Sequence, residues 1–473
     1  MKASNAFTSK RWVVRTAICF FVFFVALPRV RAQSQPAQPR TFTLEQVVEY
    51  AAQNYPAIRA SLEQVSAAQA GVALSKTNYF PRADMLWQGN RATRNNVFGM
   101  LLPQSVISPI SGPVLSSGSN ESAWGSAAGL LFTWEPFDFG RRGATVSAAR
   151  AGQNLANSQV SVTRLDIAVA ATNAYFNLVA AQQRVKASTA DVERRQVFAN
   201  VVHTLVTNQL RPGADASRAD AELARARILL IQAEQAEAVG GAVLAEFLGL
   251  NSDDVQIDAG SLLSDPPNAN PPVTALTSHP IATAEQERVG QIAARVHILD
   301  RSYFPRFYFQ STVYGRGTGA STDGTFQGGA NGLGLDRSNW ATGLTVTFPA
   351  FDIFSIRAQK QIEIANERAE RALYQQTVDD LTSQLRQAQA ALDGARRVAE
   401  NTPLELKAAR DSEMQARARY EAGLAAIVEI AEAQGLLVQA ETDDALARLA
   451  VWNDLALVNA AQGDLQPFIQ LLH

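Results

Sequence analysis

Tyr79-Phe80-Pro81-Arg82 is repeated later in the chain as Tyr303-Phe304-Pro305-Arg306, and this pair of motifs decides the fold. Each copy ends an alanine-rich helical stretch and begins a strand pattern of about ten residues. A second pair, Phe137-Asp138 and Phe351-Asp352, ends another strand and begins a helical run of about 65 residues. Two copies of one order of elements predict a duplicated unit.

The duplication predicts two repeats joined by a linker. The first repeat, residues 33–250, would contain a helix, two strands, a long helix and a second helix, and residues 280–473 would repeat that order. Residues 251–279 are rich in Pro, Asp, Asn and Ser, a composition typical of a connecting segment.

Residues 1–32 have the pattern of a secretory signal peptide. Basic residues precede an apolar run, Ala17–Leu27, and Val30-Arg31-Ala32 then places small residues where a signal peptidase cleaves. The run is too short to span about 30 Å of hydrocarbon as a helix, although a retained anchor is the alternative. Cys19, the single cysteine, lies in this run, so the mature chain would contain no disulfide.

Charge and hydropathy exclude some partners. The net charge is −2 with both signs interspersed, which argues against nucleic acid as a partner. No apolar stretch near 18 residues follows Ala32, so the sequence predicts no transmembrane helix. Entry into a membrane would therefore require a β-barrel.

Four segments alternate with the period of a β-strand. They cover residues 83–91, 124–135, 307–314 and 340–348, with long Gly-rich or Ser-rich loops within each pair. Strands of about 9 to 12 residues cross a bilayer when tilted, and aromatic residues near their ends are typical of the membrane interface. A soluble antiparallel sheet with one wet face shows the same alternation and is the alternative.

The helical runs are long for a globular core. Arg141–Thr207 contains no proline and would measure roughly 100 Å as a helix. Residues 43–77 and 215–249 are each about half as long, so end to end they match one long helix. The second long run contains Pro403, which predicts a kink or break near Thr402. Duplicated hairpins of long helices would form an α-helical barrel.

The number of strands predicts an oligomer. Four strands cannot close a barrel, for which about eight is the minimum. An open sheet in lipid would leave edge amides unpaired, at several kcal/mol each. Two chains would supply eight strands and a plugged interior, whereas three would supply twelve strands and leave a lumen. The predicted fold is therefore mainly α, with a shared 12-stranded transmembrane β-barrel built by a homotrimer.

The chain resembles the TolC-type outer-membrane efflux family over residues 43–462. The resemblance rests on the order and spacing of its motifs, because no single motif is specific. The N-terminal motifs are Thr43-Leu44-Glu45-Gln46-Val47, Asn54-Tyr55-Pro56 and the two Tyr-Phe-Pro-Arg segments. The others are Trp134–Gly140 with its partner Phe348–Asp352, and the hairpin tips Arg211-Pro212-Gly213 and Tyr420-Glu421-Ala422-Gly423. The residues expected at the junctions between barrel and helices are Pro81, Pro136, Asp138, Pro305, Pro349 and Asp352.

The resemblance implies a passive channel of a tripartite efflux or type I secretion system. Its barrel would lie in outer-membrane lipid of a bacterial cell, and its helical tunnel would cross the periplasm. There it would dock on a periplasmic adaptor (membrane fusion protein) and an inner-membrane pump. The alternative from another class is a periplasmic coiled-coil scaffold or adaptor protein of an envelope assembly.

The resemblance also implies a nearly closed periplasmic tip lined by acidic residues and a tyrosine. These positions fall on Glu429, Glu432 and Tyr420, whereas the position six residues after Gly213 is Ala219. Two glutamates three residues apart share a helix face, and threefold symmetry would collect up to six carboxylates, which favours bound cations. Ordinary solvated helix charges are the alternative. The implied adaptor contacts are Arg211, Pro212, Gly213, Arg419 and Gly423.

The sequence shows no convincing catalytic constellation. The four histidines, at positions 203, 279, 297 and 473, lack metal-ligand spacing. There is no glycine-rich phosphate loop followed by Lys and Ser or Thr. We therefore expect a protein that is not an enzyme and that binds no cofactor and no metal.

Overall fold

The computed structural model describes residues 40–93, 120–251, 255–268, 275–321, 323 and 325–472. The predicted signal peptide, residues 1–32, and most of the loop between the first two long strands, residues 94–119, lie outside these residues. The elements, in chain order, are β1 Arg40–Phe42, α1 Leu44–Asn54, α2 Pro56–Thr77, β2 Arg82–Thr93, β3 Ser122–Phe137, α3 Arg141–Thr207, α4 Gly213–Leu248, β4 Val255–Ile257, α5 Pro280–Arg301, β5 Arg306–Thr318, β6 Arg337–Thr347, α6 Asp352–Glu421, α7 Ile427–Ala461 and α8 Gln466–Ile469.

Helices α3 and α6 are the two longest helices of the described chain. Helix α3 has 67 residues, with the predicted bounds, and α6 has 70 residues. Each would therefore be roughly 100 Å long. The shorter helices begin at local signals: Thr43 forms a capping box with Gln46 before α1, and Pro56 is the first residue of α2.

The sequence predicts a kink or a break near Thr402. Helix α6 continues through Pro403, so the break is wrong and the kink stays a prediction. Proline removes one helical hydrogen bond and crowds the preceding turn. Here α6 packs against α5 and α7, and the buried Thr402 side chain donates a hydrogen bond to Asp444 of α7. These tertiary contacts hold the helix together across the proline.

The helices stand side by side in a single layer. Near the sheet the neighbours follow the order α2, α3, α5, α6, because α3 contacts α2 and α5, and α5 contacts α6. Towards the hairpin tips the order is α4, α3, α7, α6. Helix α6 is thus at one edge of the layer throughout, and α2 and α4 are at the other edge.

The four long strands form one antiparallel sheet in the order β2, β3, β5, β6. Strands β2 and β6 are its two edges, with 12 and 11 residues. One face carries exposed apolar side chains; a single row across all four strands is Met85, Leu130, Val313 and Trp340. The other face is more polar and includes Asp84, Gln310 and Thr312.

Part of the predicted linker is structured. Strand β4 pairs in parallel with β1, so residues 40–42 are held beside residues 255–257. The buried hydroxyl group of Tyr175 lies within hydrogen-bonding distance of the carbonyl oxygens of Phe42 and Asp258. A large apolar cluster surrounds this region and includes residues of α1, α3, α6 and α7.

Helix α4 is long and apolar enough to cross a membrane by length and composition, in contrast to the expectation of no such helix. Most of its apolar window is exposed in the single chain. Length and composition alone are weak evidence for a membrane span, because packed helices satisfy the same criterion.

Candidate functional site at the hairpin tips

The first hairpin turns at a non-glycine residue in the left-handed conformation. Gln209 has φ = 58°. Its N–H group donates to the Val206 carbonyl at 2.9 Å, and the N–H group of Leu210 donates to the Leu205 carbonyl at 2.9 Å. This pair of bonds is the Schellman motif, which satisfies the last carbonyl groups of a helix.

The second hairpin turns in the same way. Gly423 has φ = 81°, and its N–H group donates to the Tyr420 carbonyl at 2.9 Å. The N–H group of Leu424 donates to the Arg419 carbonyl at 2.8 Å. The two tips are therefore equivalent in structure, with Gln209 in the place of Gly423 and Leu210 in the place of Leu424.

This equivalence corrects the position of the acidic residue in the first hairpin. The residue six positions after Gln209 is Asp215, just as Glu429 is six positions after Gly423. Both acids are the third residue of their helix. Gly213 is the first residue of α4 and does not adopt positive φ, so it is not the equivalent of Gly423. Ala219, six residues after Gly213, is therefore not the equivalent of Glu429, and it is buried at the tip.

Tyr420 is fully buried where the two hairpins meet. Its hydroxyl group donates to Oδ2 of Asp215 at 3.0 Å, and its ring packs edge-on against Phe198, with the ring centroids 5.5 Å apart. The guanidinium carbon of Arg211 lies 4.1 Å from the centroid of the Tyr420 ring, and Arg211 also donates to the Tyr420 carbonyl. One side chain thus links the end of α6 to the loop before α4 and to its first turn.

The phenol of Tyr420 is a proton donor at neutral pH. Burial, followed by the hydrogen bond to Asp215, raises the pKa of Tyr420 to about 12. Because the acceptor is a carboxylate, the bond belongs to the stronger, charge-assisted class.

Both glutamates predicted at the constriction are exposed on the first turns of α7. Oε1 of Glu429 accepts from the N–H group of Ala426 at 3.3 Å, and its Oε2 lies 3.8 Å from Nη2 of Arg419. Glu432 lies one turn further along α7 and is also exposed. Neither carboxylate is buried in the single chain, so each is available to a neighbouring copy or to solvent.

The remaining predicted tip residues divide into two groups. Arg211 is half-buried against Tyr420, whereas Pro212, Gly213, Arg419 and Gly423 are exposed. The sequence analysis missed two further exposed residues, Leu210 and Leu424, which occupy the equivalent position just after each turn. A large apolar residue next to a predicted turn indicates an exposed contact site, so these two leucines could have been identified from the sequence.

The four prolines predicted at the junctions lie at or near the ends of strands. Pro81 and Pro305 directly precede β2 and β5, Pro349 lies between β6 and α6, and Pro136 lies at the register irregularity near the end of β3. Each of these prolines thus lies where a strand begins, ends or loses its regular pairing.

The two junction aspartates are not equivalent. The carboxylate of Asp138 precedes α3 and accepts from the N–H groups of Gly140 and Arg142, at 3.2 and 2.5 Å. It also lies 3.1 Å from Nε of Arg142. Asp352 is instead the exposed first residue of α6. The shared Phe-Asp motif therefore has different roles in the two repeats.

Within the described ranges, no group of His, Cys, Asp and Glu side chains is arranged to hold a metal ion. His203 lies 2.9 Å from Asp220 on the surface, and His297 lies 3.7 Å from Asp300. His279 is buried, and its Nδ1 accepts from the N–H group of Ile281 at the start of α5. His473 lies outside the described residues.

Comparison with known proteins agrees with this arrangement. A family model described as outer membrane efflux protein matches residues 47–250 and 273–464, which include both hairpins and all four long strands. Protein CyaE of Bordetella pertussis (strain Tohama I) is 25% identical over 448 residues, covering 93% of this chain and 88% of CyaE.

Solved structures share the fold. The CmeC outer membrane channel of Campylobacter jejuni matches with a TM-score of 0.70 and 16% identity, covering 90% of this chain and 88% of that chain. The outer membrane protein VceC of Vibrio cholerae matches with a TM-score of 0.69 and 17% identity, covering 89% and 97%. Since the family model spans most of both repeats, the chain belongs to the outer membrane efflux protein family.

Proposed function

We propose that three copies of this chain form a passive exit duct from the periplasm to the exterior. The duct would work with a periplasmic adaptor and an inner-membrane pump, which supply selectivity and energy. It would be built from two repeats per chain, residues 33–250 and 280–473, joined by the linker 251–279. The observation that supports this proposal best is that the chain has two complementary open edges.

The sheet edges support ring closure. Strands β2 and β6 are nearly equal in length and run in opposite directions, since three antiparallel pairings separate them. The β6 strand of one copy would therefore lie antiparallel to β2 of the next. Such pairing would satisfy edge amides that cost several kcal/mol each when left unpaired in lipid. Three copies would give twelve strands, enough for an open lumen.

The helical edges support the same closure. Exposed apolar residues lie along the outer side of α4 and recur at the helical period; they are Ile228, Ile231, Val239 and Val243. Helix α6 also exposes large apolar residues in its tip half, among them Val398, Leu404 and Met414. We assign the apolar window of α4 to contact with α6 of the neighbouring copy, which explains a window of membrane-like composition without a membrane span.

The hairpin tips would form the gate of this duct. Threefold symmetry would bring Glu429 and Glu432 of each copy around one axis, where like charges disfavour full ionisation and favour bound cations. The hydrogen bond from Tyr420 to Asp215 would hold the second hairpin against the first in the closed state.

The exposed part of each tip would meet the adaptor. Pro212, Gly213, Arg419 and Gly423 are exposed there, together with the leucines at positions 210 and 424. Exposed apolar residues flanked by polar ones are typical of protein contact sites. Arg211 would act indirectly, by holding the Tyr420 ring in place.

The assembly is tested by measuring the mass of the detergent-extracted protein by light scattering and its conductance in planar bilayers. We expect a particle of three copies that conducts ions. A stable single subunit in plain buffer would exclude the duct and favour a periplasmic scaffold.

The gate is tested separately with the double variant Glu429→Ala, Glu432→Ala. We expect weaker block of single-channel current by divalent and trivalent cations, because the carboxylates that bind them are gone. A double variant of exposed acids far from the tip, Glu49→Ala with Glu63→Ala, is the control. Unchanged block in the tip variant would remove both glutamates from the constriction.

A further inference from the structure

The tip has its own apolar cluster, separate from the larger one nearer the sheet. The tip cluster includes Phe198 and Val202 of α3, Leu223 of α4, Tyr420 of α6 and Ile430 of α7. On α3, the larger cluster includes residues 167–180, and the tip cluster begins at residue 192. The two bodies of apolar packing are therefore separate along α3.

A row of polar side chains crosses the helices at the end of the tip cluster that is nearer the larger cluster, and we call it the polar belt. It begins between α4 and α3. Nε of Arg195 lies 2.9 Å from Oδ2 of Asp191, and its Nη1 lies 3.1 Å from Oε2 of Glu222. Asp191 and Arg195 are both buried. A buried arginine thus connects the two helices of the first hairpin.

The polar belt continues from the first hairpin to the second. Nη2 of Arg194 lies 2.8 Å from Oε2 of Glu441, and Nη1 lies 3.4 Å from Oε1, so the pair is bidentate. On α7, one turn from Glu441, the buried carboxylate of Asp444 accepts from Thr402 of α6 at 3.2 Å and from Arg448. All four helices of the tip half are joined at this level.

The polar belt is costly for the folded chain. Oδ1 of Asp191 and Nε of Arg194 are buried without a hydrogen-bond partner in the part of the chain that the structure describes. Burial raises the pKa of Asp191 against the opposing effect of Arg195. Replacing such groups by apolar ones is often neutral or stabilising, so their presence calls for a role other than stability.

Helix α6, at the edge of the layer, lacks one backbone hydrogen bond at the level of the polar belt. Pro403 directly follows Thr402 and cannot donate the helical hydrogen bond that any other residue would donate. Helix α3, the counterpart of α6, contains no proline. Arg194 lies 13 residues before the end of α3, so the polar belt is about 20 Å from the tip.

We propose that the polar belt is the pivot of the periplasmic gate, at which the helices bend while the tip cluster moves as one body. Apolar packing of Ala and Leu has little directional preference, whereas the bidentate pair of Arg194 and Glu441 fixes how the two hairpins meet. The pair would keep the helices above the polar belt packed in their places while the helices below it move apart at the tip. This inference rests on the proposed role of the tip as a gate.

The test is hydrogen–deuterium exchange of the detergent-solubilised full-length protein. The first variant, Asp215→Asn, weakens the bond to Tyr420. We expect roughly tenfold faster exchange at residues 198–223 and 406–437, as for loss of a hydrogen bond to a charged group. Residues 167–180 and 445–458, above the polar belt, should exchange as in the parent.

The second step adds Glu441→Ala to Asp215→Asn. Faster exchange should now spread above the polar belt, because the hairpins are no longer held in register there. Adding instead the charge exchange Arg194→Glu with Glu441→Arg should confine the change below the polar belt again. The control is Asp443→Ala, since the Asp443 carboxylate accepts from Gln439 of its own helix.

Two results would overturn the proposal. One is exchange that already spreads above the polar belt with Asp215→Asn alone. The other is a pattern that Glu441→Ala leaves unchanged, or alters no more than Asp443→Ala does. Conductance of the same variants is recorded in parallel. If exchange follows the expected pattern but conductance does not change, the pivot stands as a mechanical feature and the gate proposal fails.

Discussion

The hydroxyl group of Tyr420 lies 3.0 Å from Oδ2 of Asp215, so one hydrogen bond ties the end of α6 to the start of α4. These helices belong to different hairpins, and the contact is buried under Arg211 and Phe198. Removal of the hydroxyl group is the smallest change that separates the two tips.

Tyr420→Phe should therefore open the tip. A hydrogen bond to a charged group contributes roughly 1.5–3 kcal/mol, so the open population should rise about tenfold or more. The measurement is single-channel conductance in planar bilayers. Asp220→Asn is the matched control, because Asp220 is an exposed acid of the same helix that pairs with His203. Equal effects of the two variants would contradict a specific role for Tyr420.

The leucines after the two turns should be needed for export and not for assembly. Leu210→Asp combined with Leu424→Asp places charges at both exposed tips, which should prevent apolar contact with the proposed adaptor. Survival of cells on a toxic exported compound should fall, whereas trimer content on detergent gels should not change. Ser217→Asp adds a charge on exposed surface of α4 and serves as the control. Equal loss of trimer would show a folding defect.

The two faces of the sheet should respond differently to a lysine. Leu344 is exposed on the apolar face of β6, and Thr345 is the next residue, on the opposite face. Leu344→Lys should destabilise the barrel by roughly 2–4 kcal/mol if it lies near the bilayer midplane, whereas Thr345→Lys should be tolerated in the lumen. Urea unfolding in lipid vesicles measures both. A larger loss for Thr345→Lys would reverse the assignment of the faces.

His279 should make stability depend on pH. Burial lowers the pKa of His279 below that of an exposed histidine, and its Nδ1 caps α5 as an acceptor. Because the folded state favours the neutral ring, this contribution is present above the unfolded pKa of about 6.5 and is lost as pH falls through the folded pKa. The carboxylate of Asp166, whose own pKa is raised by burial, opposes part of the effect.

The thermal midpoint of the parent should therefore fall between pH 7.5 and pH 5. His279→Asn retains an acceptor for the cap but does not titrate, so its midpoint should fall less over the same range. Surface His297→Asn is the control. Parallel pH profiles for parent and His279→Asn would show that other groups cause the dependence.

Gln209 should be a site where glycine stabilises the fold. The left-handed conformation costs a residue with a side chain roughly 1–2 kcal/mol, and glycine avoids most of this cost. Gln209→Gly should raise the thermal midpoint, whereas Asn208→Gly, at a residue with φ = −84°, should lower or not change it. A lower midpoint for Gln209→Gly would argue against the equivalence of Gln209 and Gly423.

The long elements were predictable because their signals are local. The bounds of α3 follow from an uninterrupted helical composition between Gly140 and the first tip, and the strands follow from alternation with period two. Proline before β2 and β5 marked the junctions for the same reason.

The position of the first turn and the contacts of the polar belt have no local signal in the sequence. Residue type pointed to Gly213 as the turn residue, whereas the turn is fixed by hydrogen bonds to the carbonyls of Leu205 and Val206. Arg194 and Glu441 are 247 residues apart in sequence, and only the packing of α3 against α7 brings them together. Tertiary contacts likewise kept α6 continuous at Pro403.

The open outer edges of strands β2 and β6 have a consequence for genetics. In the proposed trimer every seam requires an intact β6 from one copy and an intact β2 from the next. A cell that expresses one allele damaged in β2 and another damaged in β6 cannot assemble a ring in which all three seams are sound. Such alleles should fail to complement each other, and either one should be dominant when expressed with the wild type.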